Sequence, residues 1–183
     1  ARFRTTSDTE VVVNAIRIWG LNDAVRRFIG MFAFAVWDRH RQELSIVRDR
    51  VGIKPLFYWI GNDRMLFGSE VRALLAHPDL PRCIDRVGIG QYLTTGYTLG
   101  ATTSLQGVKR LLPGHTLTVG ADQSTRESCY WRLSDHVRNK ESQSSSLDES
   151  VEELHELVKS AFSYRLIADV PVGIFLSGGV DSS

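Results

Sequence analysis

The chain has 183 residues, enough for one ordinary domain or for one domain and part of another. It is 43% hydrophobic and 23% charged, a soluble globular composition with ample apolar material for a core. A formal net charge of +1 leaves no electrostatic case for nucleic-acid or membrane-surface binding, and the longest apolar run, residues 30–37, is far short of the ~20 needed to span a bilayer.

Smaller features narrow the class further. Residues 1–10 are polar and charged, unlike a secretory leader. Cys83 and Cys129 stand apart with no C-x-x-C spacing, which fits reduced thiols in a cytoplasmic protein. No two of the five histidines share metal-ligand spacing, so no zinc site is expected.

In chain order, Ser7-Asp8-Thr9-Glu10 fits the S-x-x-E capping box and predicts a helix carrying Val11, Val12, Ala15, Ile16 and Trp19, stopped at Gly20. Asn22 is the expected cap of a second short helix ending near Phe28. Residues 30–38 are apolar on both alternating faces, which predicts a strand in the middle of a layered fold. Residues 43–49 read as its partner across the turn His40-Arg41-Gln42. Gly52-Ile53-Lys54-Pro55 breaks the pattern, and residues 56–60 and 65–67 form a hairpin about Gly61-Asn62-Asp63.

Ser69 is the expected cap of a helix over 70–76, and Asp85 of another reaching about Leu93. Pro113-Gly114 turns the chain into a strand over 115–119, and residues 127–133 read as the last strand of this part. Residues 134–146, with four serines near Gln143, have a composition that cannot bury itself and predict a linker. Leu147, Val151, Leu154, Val158, Ala161 and Phe162 then mark a long amphipathic helix. Residues 170–176 are a short apolar run, expected as a buried strand.

That run leads into Leu176-Ser177-Gly178-Gly179-Val180-Asp181-Ser182-Ser183. Strand followed by Ser-Gly-Gly is a way to present main-chain N–H groups to phosphate, since two glycines let the backbone approach an anion without intervening Cβ atoms. Ser177 and Ser182 add hydroxyl donors. Asp181 beside an anion implies a bridging Mg²⁺. The Walker lysine is absent, so this is a different phosphate loop. It resembles the PP-loop of ATP pyrophosphatases, which cleave ATP between the α and β phosphates.

Taken with that loop, the segments Ser7-Asp8-Thr9-Glu10, Gly30-Met31-Phe32-Ala33-Phe34-Ala35, Arg48-Asp49-Arg50-Val51-Gly52-Ile53-Lys54-Pro55-Leu56, Gly68-Ser69-Glu70 and Leu112-Pro113-Gly114-His115 resemble, in order, the glutamine-hydrolysing asparagine synthetases. The resemblance covers nearly the whole chain. It implies an α+β layered, N-terminal-nucleophile glutaminase domain of αββα type over 1–133, a linker over 134–146, and over 147–183 the opening helix and strand of an α/β PP-loop domain. The implied substrates are glutamine, aspartate and ATP with Mg²⁺; nucleic acid and membrane are not among the expected partners, and a homodimer is left open.

Position by position, the resemblance makes Asp8 the acid that holds the glutamine α-amino group. It places Leu176 against the nucleotide, and Ser177, Gly178, Gly179, Asp181 and Ser182 around the pyrophosphate, with Asp181 also toward Mg²⁺. The bare residues support a humbler view of Asp8, because an acid in the first helical turn is favoured by the helix dipole alone. Arg48-Asp49-Arg50 and Gly52-Ile53-Lys54-Pro55 are read as architecture, and Glu70 as a helix-start acid.

The chain also departs from the family pattern. The family nucleophile is a cysteine with a free α-amine; Ala1 is not it, and Cys83 and Cys129 are internal. Val180 stands where leucine is usual. Both ends read as cut, so the chain by itself is expected to catalyse neither half-reaction. Two other readings stand beside asparagine synthesis: an amidotransferase acting on another carboxylate, such as a sugar acid or a β-lactam precursor, and a non-catalytic relative.

Overall fold

The structure, a computed structural model, describes residues 3–138, 146–173 and 175–180. The chain divides into two compact units, Ala1–Arg138 and Asn139–Ser183.

The first unit opens with α1, Asp8–Trp19, which starts where the Ser7 hydroxyl accepts the Thr9 N–H. It stops at Gly20, whose φ of 76° lets its N–H turn back to the Ile16 carbonyl. The expected reciprocal capping box does not form. The Glu10 carboxylate instead accepts the N–H groups of Arg4 and Thr5 and the Thr5 hydroxyl, at 2.9, 2.7 and 2.6 Å. Three donors in the preceding turn outcompete the single Ser7 N–H. Helix α2, Leu21–Arg27, takes Gly20 as its N-cap, so Asn22 lies inside the first turn rather than capping it.

Among the described residues, seven strands make two antiparallel sheets. In the first, β1 (Ala33–Asp38), β2 (Glu43–Arg48), β6 (His115–Gly120) and β7 (Thr125–Cys129) lie in the order β1-β2-β6-β7. In the second, β3 (Phe57–Ile60), β4 (Met65–Gly68) and β5 (Lys109–Arg110) lie in the order β4-β3-β5. Ile46, Leu56, Tyr58, Leu111 and Leu117 fill the space between the sheets. Val25 of α2 packs with Val47 and Tyr130 on the outer face of the first sheet. Leu74 of α3 (Val71–Leu75) packs with Leu80 and Val108 beyond the second. The result is the expected helix–sheet–sheet–helix layering of an α+β fold.

Several expectations are corrected. β1 lies in an inner layer as expected, but at an edge of its sheet among the described residues and without burial on both faces, Trp37 being 52% exposed. The most deeply buried strand is β2, despite its Glu43, Ser45 and Arg48. Apolarity on both faces reports what covers a strand from above and below, and says nothing of its lateral neighbours. Helix α3 begins after Glu70, with no side-chain cap from Ser69. Helix α4, Arg86–Thr95, is capped as expected, the Asp85 carboxylate accepting the Gly88 N–H at 2.9 Å. The last strand ends at Cys129, and the residues expected to begin the linker form α5, Leu133–Arg138. Residues 139–145 of that expected linker lie outside the described residues.

The second unit is led by α6, Leu147–Arg165, with a complete capping box between Ser146 and Glu149. None of its side chains is buried. Among the described residues of 170–176 there is no strand, and Leu176 is 76% exposed. A parallel strand draws its hydrogen bonds from neighbours, and none pairs with this segment among the described residues.

Candidate functional site

Asp8 is the first residue of α1, exposed, with the Thr9 hydroxyl 3.4 Å from its Oδ1. The Ser7 cap and the Glu10 clasp on Arg4 and Thr5 fix the turn that carries it. A groove of about 370 Å³ opens beside it. One wall is α1, through Asp8, Val12 and Ile16; the floor is the outer edge of β1; the far rim is Lys54, Pro55 and Ser69. The volume is that of a small-molecule site, and its surface is mostly apolar with a few charged groups. A carboxylate at one end suits an ammonium group, and a lysine at the rim suits an anion.

Four of the sequence segments singled out above therefore meet in one place: those of Asp8, of residues 31–35, of Lys54-Pro55 and of Ser69. Lys54 and Ser69 were not expected as site residues. The spacing of the motifs offered no signal for them, because the Gly52–Pro55 corner reads locally as a turn and Ser69 as a cap. Glu70 stands at the N-cap position of α3, as its reading as a helix-start acid required.

Beneath the rim lies a buried polar cluster that confirms the architectural reading of Arg48 and Asp49. The Asp49 carboxylate is wholly buried and accepts the N–H groups of Ile53 (2.9 Å), Lys54 (2.9 Å) and Phe32 (3.2 Å). The Arg48 guanidinium donates to the carbonyls of Lys54 (2.8 Å), Gly52 (2.7 Å) and Leu111 (2.7 Å). Burial pulls the Arg48 pKa down, and the neighbouring Asp49 charge opposes that shift. Gly52, with φ 70°, sits so close to Pro113 that a Cβ would collide with it and press tightly on the Arg48 guanidinium.

A larger cavity, about 510 Å³, lies between the α1–α2 junction and the hydroxyl-rich face of the first sheet. Three carboxylates line it, Asp23, Asp38 and Glu43; Asp38 accepts the N–H groups of Arg41 and His40, and the Arg41 bond foremost holds its pKa below the ordinary value. None of the motif segments converges there, so size alone does not make it the site.

In the second unit, Leu176, Ser177, Gly178 and Gly179 are exposed, and Gly178 has φ 74°, a left-handed turn that suits glycine. Asp181 and Ser182 lie outside the described residues, and with them the expected Mg²⁺ contact.

Comparison with protein families matches residues 1–131 to the glutamine amidotransferase domain and residues 153–183 to asparagine synthase. Asparagine synthetase [glutamine-hydrolyzing] 3 of Bacillus subtilis (strain 168) is 39% identical over 183 residues, covering 100% of this chain and 29% of that protein. Amidase chry2 of Gibberella zeae is 34% identical over 182 residues, covering 100% of this chain and 26% of its own length. A solved structure of glutamine phosphoribosylpyrophosphate amidotransferase from B. subtilis, complexed with ADP and GMP, aligns at a TM-score of 0.47 and 20% identity, over 71% of this chain and 24% of that one. The chain thus spans less than a third of the length of these curated relatives.

Proposed function

The chain belongs, through residues 1–131, to the glutamine amidotransferase domain family, and from that premise we propose that the groove at Asp8 binds glutamine in a glutamine-dependent asparagine synthetase. The first unit, through Arg138 of α5, serves as the glutaminase portion, and the segment from Leu147 onward as the start of the ATP-using domain. Glutamine and water give glutamate and ammonia. ATP and aspartate give β-aspartyl-AMP and pyrophosphate, and ammonia displaces AMP to leave asparagine.

In this reading Asp8 accepts hydrogen bonds from the substrate's α-ammonium group, a charge-assisted contact at the mouth of a partly apolar groove. Leu176 lies against the nucleotide. Ser177, Gly178, Gly179 and Ser182 hold the pyrophosphate as its charge develops, with Mg²⁺ brought by ATP and met by Asp181. The observation that carries the glutaminase half is the convergence of Asp8, the β1 edge, Lys54 and Ser69 on one groove.

A second reading keeps the chemistry and changes the acceptor to another carboxylate. It stands because the full-chain match is shared by proteins named asparagine synthetase and by one named amidase. Product analysis with aspartate and with alternative acids, each supplied with glutamine and Mg-ATP, separates the two.

The test of the groove is Asp8→Asn in the full-length protein. Loss of a charge-assisted contact lowers glutaminase kcat/KM roughly ten- to hundredfold. An unchanged kcat/KM in a folded variant overturns the assignment.

A further inference from the structure

We infer that Asp49 is a positioning residue for the glutamine groove: its buried carboxylate sets the spacing between the β1 edge and the Lys54-Pro55 rim, and so the fit of the substrate opposite Asp8. The inference rests on the reading of that groove as the glutamine site.

The geometry begins with the β1–β2 ladder, which runs in register from Asp38↔Glu43 to Ala33↔Arg48. Phe32 and Asp49 would be the next pair. Half of that pairing is made, as the Asp49 N–H donates to the Phe32 carbonyl at 2.9 Å. The other half is not available to the backbone, because the Asp49 carbonyl is taken by the N–H groups of Gly114 (2.8 Å) and Gly52 (3.2 Å). The side chain substitutes: Oδ2 accepts the Phe32 N–H and, at the same time, that of Lys54, while Oδ1 accepts that of Ile53. One carboxylate therefore joins the start of an edge strand to a corner that is not part of its sheet.

Both joined segments wall the groove, Phe32 on one side and Lys54 with Pro55 on the other. β1 has no second strand beside it among the described residues to fix its position. The corner is clamped from both polarities, its N–H groups by Asp49 and its carbonyls by Arg48. A carboxylate is required because three donors converge on it and it is acceptor-only. An asparagine of the same size would present N–H₂ to at least one N–H, leaving a buried donor facing a donor.

The consequence is specific to substrate positioning. A shift of one wall relative to Asp8 weakens glutamine capture before it alters the chemistry done on bound glutamine. Steady-state glutaminase kinetics of the full-length protein test this with Asp49→Asn, alongside Val108→Ala as a structural control. Val108 is buried in the cluster beyond the second sheet and does not line the groove. The expected result is a glutamine KM raised roughly tenfold for Asp49→Asn, with kcat per folded molecule changed by less than about threefold. Val108→Ala should keep the parental KM.

If Asp49→Asn does not fold, Arg48→Lys releases the corner carbonyls with Asp49 left in place, and carries the same expected rise in KM. An unchanged KM with only a reduced folded fraction would show that the cluster merely stabilises the domain, and would overturn the inference. Asp8→Asn in the same assay separates the two levels: if it weakens glutamine use while Asp49→Asn leaves KM unaltered, the Asp49 inference alone fails. If neither moves it, the glutamine reading itself fails.

Discussion

The Tyr130 hydroxyl donates to the main-chain oxygen of Arg48 at 2.7 Å, joining residues 82 apart in sequence. Tyr130 follows the last strand of the first sheet, and Arg48 ends its most buried strand. The bond thus closes the sheet onto the same cluster that shapes the rim of the groove.

Tyr130→Phe keeps the ring and removes that bond, so the first unit should lose about 1 kcal/mol of stability, measured by chemical denaturation. The pH dependence adds a second signature. Burial, the largest cause, and the nearby Asp49 charge push the Tyr130 phenol above its ordinary value of 10.0. A group raised on folding contributes stability that is fully present below pH 10.0 and is lost as pH rises through the folded pKa. The parent should weaken on that alkaline limb more steeply than Tyr130→Phe.

Glu10 gives the opposite sign. Hydrogen bonds from the Thr5 side chain, then from the Arg4 and Thr5 N–H groups, hold its carboxylate pKa below 4.5. Its contribution is therefore present above pH 4.5 and lost as pH falls through the lowered folded pKa. Protection of the Arg4 and Thr5 amides from exchange, relative to their intrinsic rates, should fall over that acid range. In Glu10→Gln it should be low already at neutral pH.

Two glycines two residues apart in α4 should respond oppositely to alanine. A Cβ at Gly88 would collide with the Thr103 carbonyl, so Gly88→Ala should destabilise by about 1–3 kcal/mol. Gly90 has open space where a Cβ would stand, and Gly90→Ala should stabilise by about 0.5–1 kcal/mol through lower backbone entropy in the unfolded chain. Thermal unfolding of the two variants and the parent decides both.

Ser177→Ala and Asp181→Ala, made in the full-length protein, are expected to abolish isotope exchange between pyrophosphate and ATP while sparing glutaminase activity. Exchange that survives Asp181→Ala would refute the Mg-pyrophosphate role of that residue.

Where a decision rests on a few adjacent residues, the sequence by itself determined it. The Ser7 and Asp85 caps, the Gly20 stop, the hairpin about Gly61 and the turn at Gly114 all follow from capping, alternation and permitted backbone angles, which act over a few residues. For Asp8 and the 176–182 loop, the resemblance of the ordered motifs to a known family supplies an expectation, which local pattern alone does not. Tertiary structure decided what depends on partners distant in sequence. It put β1 at an edge, turned Glu10 from its cap toward Arg4 and Thr5, and left the described residues of 170–176 without a strand. It also brought Lys54 and Ser69 to Asp8, across 46 and 61 residues, through a corner held by one buried carboxylate. Packing of separate layers places such groups together, and no local pattern in the chain encodes which will meet.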